Sequence, residues 1–326
     1  MPAPAPLTVT LSRGSLVESR HCVHAVLMNA QGDITASYGD AARMTFTRST
    51  LKPLQALCLM ESGAASAFAL SDAEIALACA SHNGEDLHVQ AVAAWLARIG
   101  LSEDDLECGA QVPYANAAAT ARALANNCSG KHAGMLTLAL HMGFETKGYT
   151  QEDHPLQKMI LGTIAQMCGE DITPASCGVD GCSAPNPAMP LHALARGFAR
   201  FMQVDQLSFQ RGTACRHLFQ AMVDHPMHVA GTGRLDTLLM QAAQGTIMCK
   251  IGAEGTYIAV VPQHNTVIAL KAEDGAGRAG QAALYGLLEK HALATKKMLD
   301  AIRPTALPVL KNWRGTETGL TDIIWA

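Results

Sequence analysis

Segments with the two-residue alternation of β-strands lie at both ends of this 326-residue sequence, and helical patterns fill its middle. Residues 7–11 alternate Leu, Val and Leu with two threonines. Residues 21–38 read as a hairpin, with residues 22–28 and 34–38 flanking the turn Asn29-Ala30-Gln31-Gly32-Asp33. Strand patterns return at 246–251, 257–261 and 266–271, the last after Pro262-Gln263-His264-Asn265. Terminal strands separated by a long helical middle do not make the alternating βαβ units of a parallel sheet. The expected class is α+β: one antiparallel sheet built from N- and C-terminal strands, with an inserted helical lobe. The sheet lobe covers about 7–45 and 245–300 and the helical lobe about 49–243, in a single domain over 1–326.

Within the middle, residues 49–60 form a helix with Pro53 in its first turn and Leu51, Leu54, Leu57 and Cys58 at helical spacing. Ser71-Asp72-Ala73-Glu74 is a capping box that opens a helix over 75–80, which stops at Ser81-His82-Asn83-Gly84. Further helices fit 87–99, 117–126, 131–142, 155–167, 191–202 and 235–243, while 173–190 reads as loop. A helix over 277–291 precedes a shorter one at 297–302.

Hydrophobic residues make up 49% and charged residues 16%, which excludes a largely disordered chain. The formal charge of −4, without any basic run, gives no footprint for nucleic acid or an anionic membrane. Aromatics at 5% leave no base-stacking platform. No stretch approaches ~18 consecutive apolar residues, so no membrane span is expected. Met1-Pro2-Ala3-Pro4-Ala5-Pro6 has neither a basic nor an apolar leader region, so a cytoplasmic protein is expected. The 10 cysteines have no repeated spacing and read as reduced thiols. Without a Gly-rich phosphate loop at a strand–helix junction, nucleotide binding has no support.

Three triplets carry chemistry. In Ser49-Thr50-Leu51-Lys52, the i, i+3 spacing of a helix sets a lysine beside a serine, whose hydroxyl is a weak nucleophile until a base takes its proton. Ser81-His82-Asn83 follows at a helix break, and Lys250-Ile251-Gly252 lies on an expected strand. Singly, each triplet is commonplace. In this order, on these element types, they match the pattern of serine β-lactamases and penicillin-binding proteins. Two departures stand out: His82 replaces the usual Asp, and the first two triplets are unusually close.

A second constellation combines Asn126-Asn127-Cys128-Ser129-Gly130-Lys131-His132-Ala133-Gly134-Met135 with Cys177-Gly178-Val179-Asp180-Gly181-Cys182-Ser183-Ala184-Pro185. Thiolates at Cys128 and Cys182 suit zinc, with His132 or Lys131 alongside. Spacing alone does not license a metal, and two buried loop cysteines near a capping serine remain the plain alternative.

The segments 48–53, 80–85, 127–134 and 178–182 resemble the rhizobial-type, class 3 L-asparaginases, and Lys250-Ile251-Gly252-Ala253-Glu254-Gly255 and Glu273-Asp274-Gly275-Ala276 continue the likeness. It extends from about residue 15 to 290. The resemblance implies a fold akin to serine β-lactamases and serine-dependent glutaminases, and hydrolysis of L-asparagine to L-aspartate and ammonia. It implies two Ser–Lys pairs, Ser49 with Lys52 and Ser81 with Lys250, with Ser49 the nucleophile. Cys128, Lys131 and Cys182 would hold Zn2+. Arg48 and Asp180 would grip the α-carboxylate and α-ammonium of the substrate, with Asn83 and His132 nearby. A homodimer is also implied. For the oxyanion, the expected donors are the backbone N–H of Ser49 and one just after Lys250.

Two other classes fit the residues: another small-molecule amidase, glutaminase or β-lactam-interacting hydrolase, and a non-catalytic amino-acid-binding protein on the same scaffold. Other polar groups read as structural. His21 and His24 sit three apart on a strand and face opposite ways, and Glu103-Asp104-Asp105 is a helix N-terminal turn.

Overall fold

The computed structural model describes residues 4–325, so residues 1–3 of the N-terminal segment read above lie outside the described residues. The chain divides into two compact units. One comprises residues up to Thr45, Met189–Met202 and Gly233 onward; the other comprises Phe46–Ala188 and Gln203–Thr232.

The first unit is built on an antiparallel sheet. Its strand order is Thr321–Ile324, Leu7–Arg13, Leu16–Met28, Thr266–Ala272, Thr256–Val261, Met248–Gly252, and Ile34–Tyr38 also pairs with Leu16–Met28. Strands from the two ends of the sequence therefore lie side by side: Val23 is opposite Ala272, and Thr8 is opposite Ile324. All six residues of Thr256–Val261 are buried, which is the signature of a strand covered on both faces. Helices Leu191–Ala199 and Gly277–Lys290 pack on Leu16–Met28 and Thr266–Ala272. Helix Leu235–Ala243 packs on Met248–Gly252 and on helix Lys296–Ala306.

The expected α+β class, with terminal strands in one antiparallel sheet and helices between them, is what the chain adopts. The lobe boundaries differ. Helices Leu191–Ala199 and Leu235–Ala243, placed by sequence in the helical lobe, belong with the sheet, because their apolar faces supply its cover. A further C-terminal strand, Thr321–Ile324, gave no clear sequence signal; its pattern is half exposed.

The second unit is helical. Helix Lys52–Glu61 lies at its centre, with every residue from Lys52 to Leu59 buried. It packs against helices Ser129–Met142, Pro155–Cys168 and Phe209–Asp224. Helix Asp72–Ala78 starts with the expected capping box: Glu74 N–H donates to Ser71 Oγ at 3.4 Å, and Ser71 N–H donates to Glu74 Oε2 at 2.8 Å.

Two local expectations fail here, and one helix is not among those expected. Residues 117–126 do not form a helix beyond the short turn Ala123–Ala125. Residues 114–118 are exposed, so alanine propensity has no apolar face to bury, and a short helix is marginal without one. Within 173–190, Cys177–Val179 pairs with Pro185–Pro190 as strands, joined by a turn in which Ser183 has φ 71°. Helix Phe209–Asp224 carried an available signal, the Ser208 N-cap and buried Ala214, Cys215, Leu218, Ala221 and Met222 at helical spacing. Among the described residues no helix is long and apolar enough to cross a membrane.

Candidate active site

Ser49 sits in the turn Arg48–Leu51, directly ahead of helix Lys52–Glu61 with Pro53 in its first turn. The turn is fixed from several sides. Thr47 N–H and Oγ1 both donate to Pro187 O, at 3.2 and 2.9 Å, and Thr50 Oγ1 donates to Thr47 O at 2.5 Å. Arg48 N–H donates to Asn186 Oδ1 at 3.0 Å. Arg48 itself has φ 51°, a left-handed conformation that costs a non-glycine residue about 1–3 kcal/mol and persists only where its surroundings hold it. The outlier immediately precedes the expected nucleophile.

Lys52 is 1% exposed. Its amine donates to Ser81 Oγ at 3.1 Å and to Ala80 O, with Asn127 O at 3.5 Å. The i, i+3 spacing thus places Ser49 and Lys52 on consecutive turns, while the hydrogen bond from Lys52 goes to the serine of the second triplet.

Backbone pairing to two other segments holds that second triplet in place. Ser81 N–H donates to Val229 O at 2.9 Å, His82 N–H to Asn127 O at 3.2 Å, and Asn83 N–H to Ala230 O at 3.0 Å. His82, the departure from the usual Asp, is fully buried and locks the turn. Its Nδ1 accepts Gly84 N–H at 3.1 Å, and its Nε2 lies 3.0 Å from Ser129 Oγ, which donates to Leu124 O at 2.9 Å. The ring stacks on His88 at 4.6 Å. Asn83 donates through Nδ2 to Glu85 Oε1 and Thr232 O, both at 3.0 Å, so its amide is engaged in loop closure.

Arg48 Nε and Asp180 Oδ1 form an ion pair at 2.9 Å, with the Arg side chain 25% exposed and the Asp side chain 13%. Asp180 is anchored by its N–H to Ala184 O at 2.9 Å.

Cys128, Lys131, His132 and Cys182 are all buried. Lys131 Nζ is 2.9 Å from Cys182 Sγ. A hydrogen bond from the Cys128 thiol, then the Lys131 charge and His132, hold the Cys182 thiol far below its ordinary range against the cost of burial. Cys128 is pushed up by that same bond and by burial. Burial works against the Lys131 ammonium, but the sulfurs of Cys182 and Cys128 outweigh it and raise its pKa. Burial lowers the pKa of His132, against a side-chain hydrogen bond with Cys182 that raises it, and its Nδ1 is 2.7 Å from Tyr149 Oη.

No three His, Cys, Asp or Glu residues group as a metal site among the described residues. A metal held here needs the Lys131 amine beside two sulfurs. That donor set, buried and centred on an anionic sulfur, fits a thiophilic cation.

Lys250 lies in the sheet unit, fully buried on strand Met248–Gly252, and its Nζ donates to Ile251 O at 2.7 Å. The Ile251 N–H, a candidate oxyanion donor just after Lys250, instead donates to Asp236 Oδ1 at 2.6 Å. Asp236 escaped the sequence reading, since a lone Asp in a helix first turn looks like a dipole partner.

A search of curated proteins finds no match. Among solved structures the chain is similar to a β-lactamase from Mycobacterium bovis, at 13% identity and TM-score 0.44 over 83% of this chain and 95% of that one. It is also similar to a class C β-lactamase mutant, at 15% identity and TM-score 0.41 over 85% of this chain and 91% of the other. Both likenesses are too distant to bear on the reaction. The family model described as L-asparaginase II matches residues 9–323, nearly the whole chain. With that match, the chain belongs to the L-asparaginase II family and is an asparaginase-type amidohydrolase.

Proposed function

We propose that the protein hydrolyses L-asparagine to L-aspartate and ammonia through an acyl-enzyme on Ser49. The observation that supports this best is the bond from the buried Lys52 amine to Ser81 Oγ, one helical turn on from Ser49. A lysine held this way is placed to move protons between two hydroxyls.

In the first step Lys52 takes the Ser49 proton as Oγ bonds to the side-chain amide carbon of asparagine. Ser81 passes a proton to the departing nitrogen and takes in its place the one held by Lys52, and ammonia leaves as the C–N bond breaks. Lys250 supports that transfer. Water then cleaves the ester, releasing aspartate and returning the proton to Ser49. With the Ile251 N–H engaged by Asp236, the Ser49 N–H is the remaining oxyanion donor from the expected pair.

Arg48 and Asp180 receive the α-carboxylate and α-ammonium. They now neutralise each other at 2.9 Å. A zwitterion carries one charge of each sign, so its arrival replaces one ion pair with two and strands neither residue. His132 and Asn83 shape the surroundings through the bonds described above.

Zn2+ is the cation we assign to Cys128, Lys131 and Cys182, where, when bound, it would supply a fixed positive charge and polarise nearby oxygen. Binding would require the Lys131 amine to give up its proton, so occupancy should fall as pH falls. We further propose a cytoplasmic homodimer, on the family resemblance.

The decisive assay is ammonia release from L-asparagine and L-glutamine, with Ser49→Ala in parallel. Release from asparagine that is abolished in the variant supports the reading; full turnover by Ser49→Ala overturns it.

A further inference from the structure

Asp236 is the buried charged group for which the reaction scheme has no use. It lies in the first turn of helix Leu235–Ala243 and is 1% exposed. Its Oδ1 accepts the Ile251 N–H at 2.6 Å, but Oδ2 is buried with no hydrogen-bond partner. A carboxylate buried with one oxygen unmet is costly, and such groups cluster at functional sites.

Its surroundings are equally unusual. Thr256 Oγ1 is likewise buried without a hydrogen-bond partner. Cys249 Sγ is 3.9 Å from Asp236 Oδ1. The titratable and charged groups gathered there are Cys249 and Lys250 from one strand, Tyr257 from the next, and Arg234 from the turn ahead of the helix. Burial first, and the Asp236 charge second, push both the Cys249 thiol and the Tyr257 phenol up, so neither carries charge at neutral pH. Lys250 is the cation on the same strand, fully buried.

Ile251 is gripped from both sides. Asp236 takes its N–H, and the Lys250 amine donates to its C=O at 2.7 Å. We infer that Asp236 is a positioning residue for Lys250: it clamps the peptide following the lysine and supplies a buried negative charge that favours the ammonium. The inference rests on Lys250 acting in the reaction proposed above.

The test compares Asp236→Asn, which keeps an acceptor for the Ile251 N–H but removes the charge, with Asp236→Ala, which removes both. Lys250→Ala and the double variant Asp236→Ala/Lys250→Ala complete the set, and thermal melts verify that each is folded. For Asp236→Ala we expect kcat for asparagine to fall about 100-fold with KM changed less than about 3-fold. For Asp236→Asn we expect a loss of about 10-fold and an alkaline limb of the kcat profile displaced to lower pH, because the ammonium loses its counter-charge. The double variant should be no slower than Lys250→Ala alone. Folded Asp236 variants with native kcat and an unmoved profile, or losses that multiply in the double variant, overturn the inference. Full turnover by Lys250→Ala overturns instead the role given to Lys250.

Discussion

Lys52 Nζ donates to Ser81 Oγ at 3.1 Å, so the lysine of the first triplet is bonded to the serine of the second. The two residues reach this distance because Ser81 is pinned by backbone pairing to Val229 and Lys52 is buried in the central helix. In the proposed reaction the same amine also takes the Ser49 proton, which would make the effects of all three residues interdependent.

Ser49→Ala and Lys52→Ala should each lower kcat by at least ~10³ while melting like the parent protein. The double variant should be scarcely slower than either single one. Steady-state ammonia release checks this, and losses that multiply would show that the two residues do not act as a unit.

Arg48→Ala and Asp180→Asn should each raise KM for L-asparagine by about 10–100-fold, the worth of one charged hydrogen bond, with a smaller change in kcat. Removing either partner leaves the other half-buried and unpaired. An unchanged KM in both variants would exclude this pair from substrate binding.

Metal analysis of the purified protein should find one zinc per chain, lost in Cys182→Ser. Removing the metal with a chelator should raise KM and leave most of kcat, if the cation organises the substrate. Abolished kcat with the fold intact would point to metal chemistry in the reaction itself.

Gly130 sits where helix Ser129–Met142 crosses helix Asp72–Ala78, and an added Cβ would run into the carbonyl oxygen of Leu77. Gly130→Ala should destabilise the protein by about 1–3 kcal/mol. Urea unfolding measures this directly, and a midpoint equal to that of the parent would show that the helices separate freely.

His88 is fully buried and neutral, with Nε2 bonded to Met227 O at 2.8 Å and Nδ1 accepting Glu85 N–H at 3.2 Å. Burial lowers its pKa. Below about pH 6.5 the unfolded chain therefore binds a proton that the folded one resists. Stability from this group is complete above that pH and declines as pH falls toward the depressed folded value. Urea midpoints between pH 8 and 5 should show the decline, with a shallower slope in His88→Asn; an equal slope would assign the effect elsewhere.

Local signals in the sequence defined the terminal strands, the capping box at Ser71 and Glu74, and helix Leu235–Ala243, whose bounds agree with the structure. Each is written in nearest-neighbour chemistry: alternation, a hydroxyl three residues from a carboxylate, a run of apolar residues at helical period. The family motifs were equally legible, because a contiguous block such as 127–134 is read without a fold. The failures have one cause. The alanine-rich stretch 117–126 has helical propensity but no face to bury, and Pro185–Pro190 becomes a strand because Cys177–Val179 pairs with it.

The sequence by itself determined the class of fold and the family, and it named the side chains proposed to react. Only tertiary structure decided their partners: that Lys52 bonds Ser81, that His82 closes a turn, and that Asp236 captures the Ile251 N–H. Those bonds join residues far apart along the chain, and local patterning carries no record of which distant group will fill a buried donor's need.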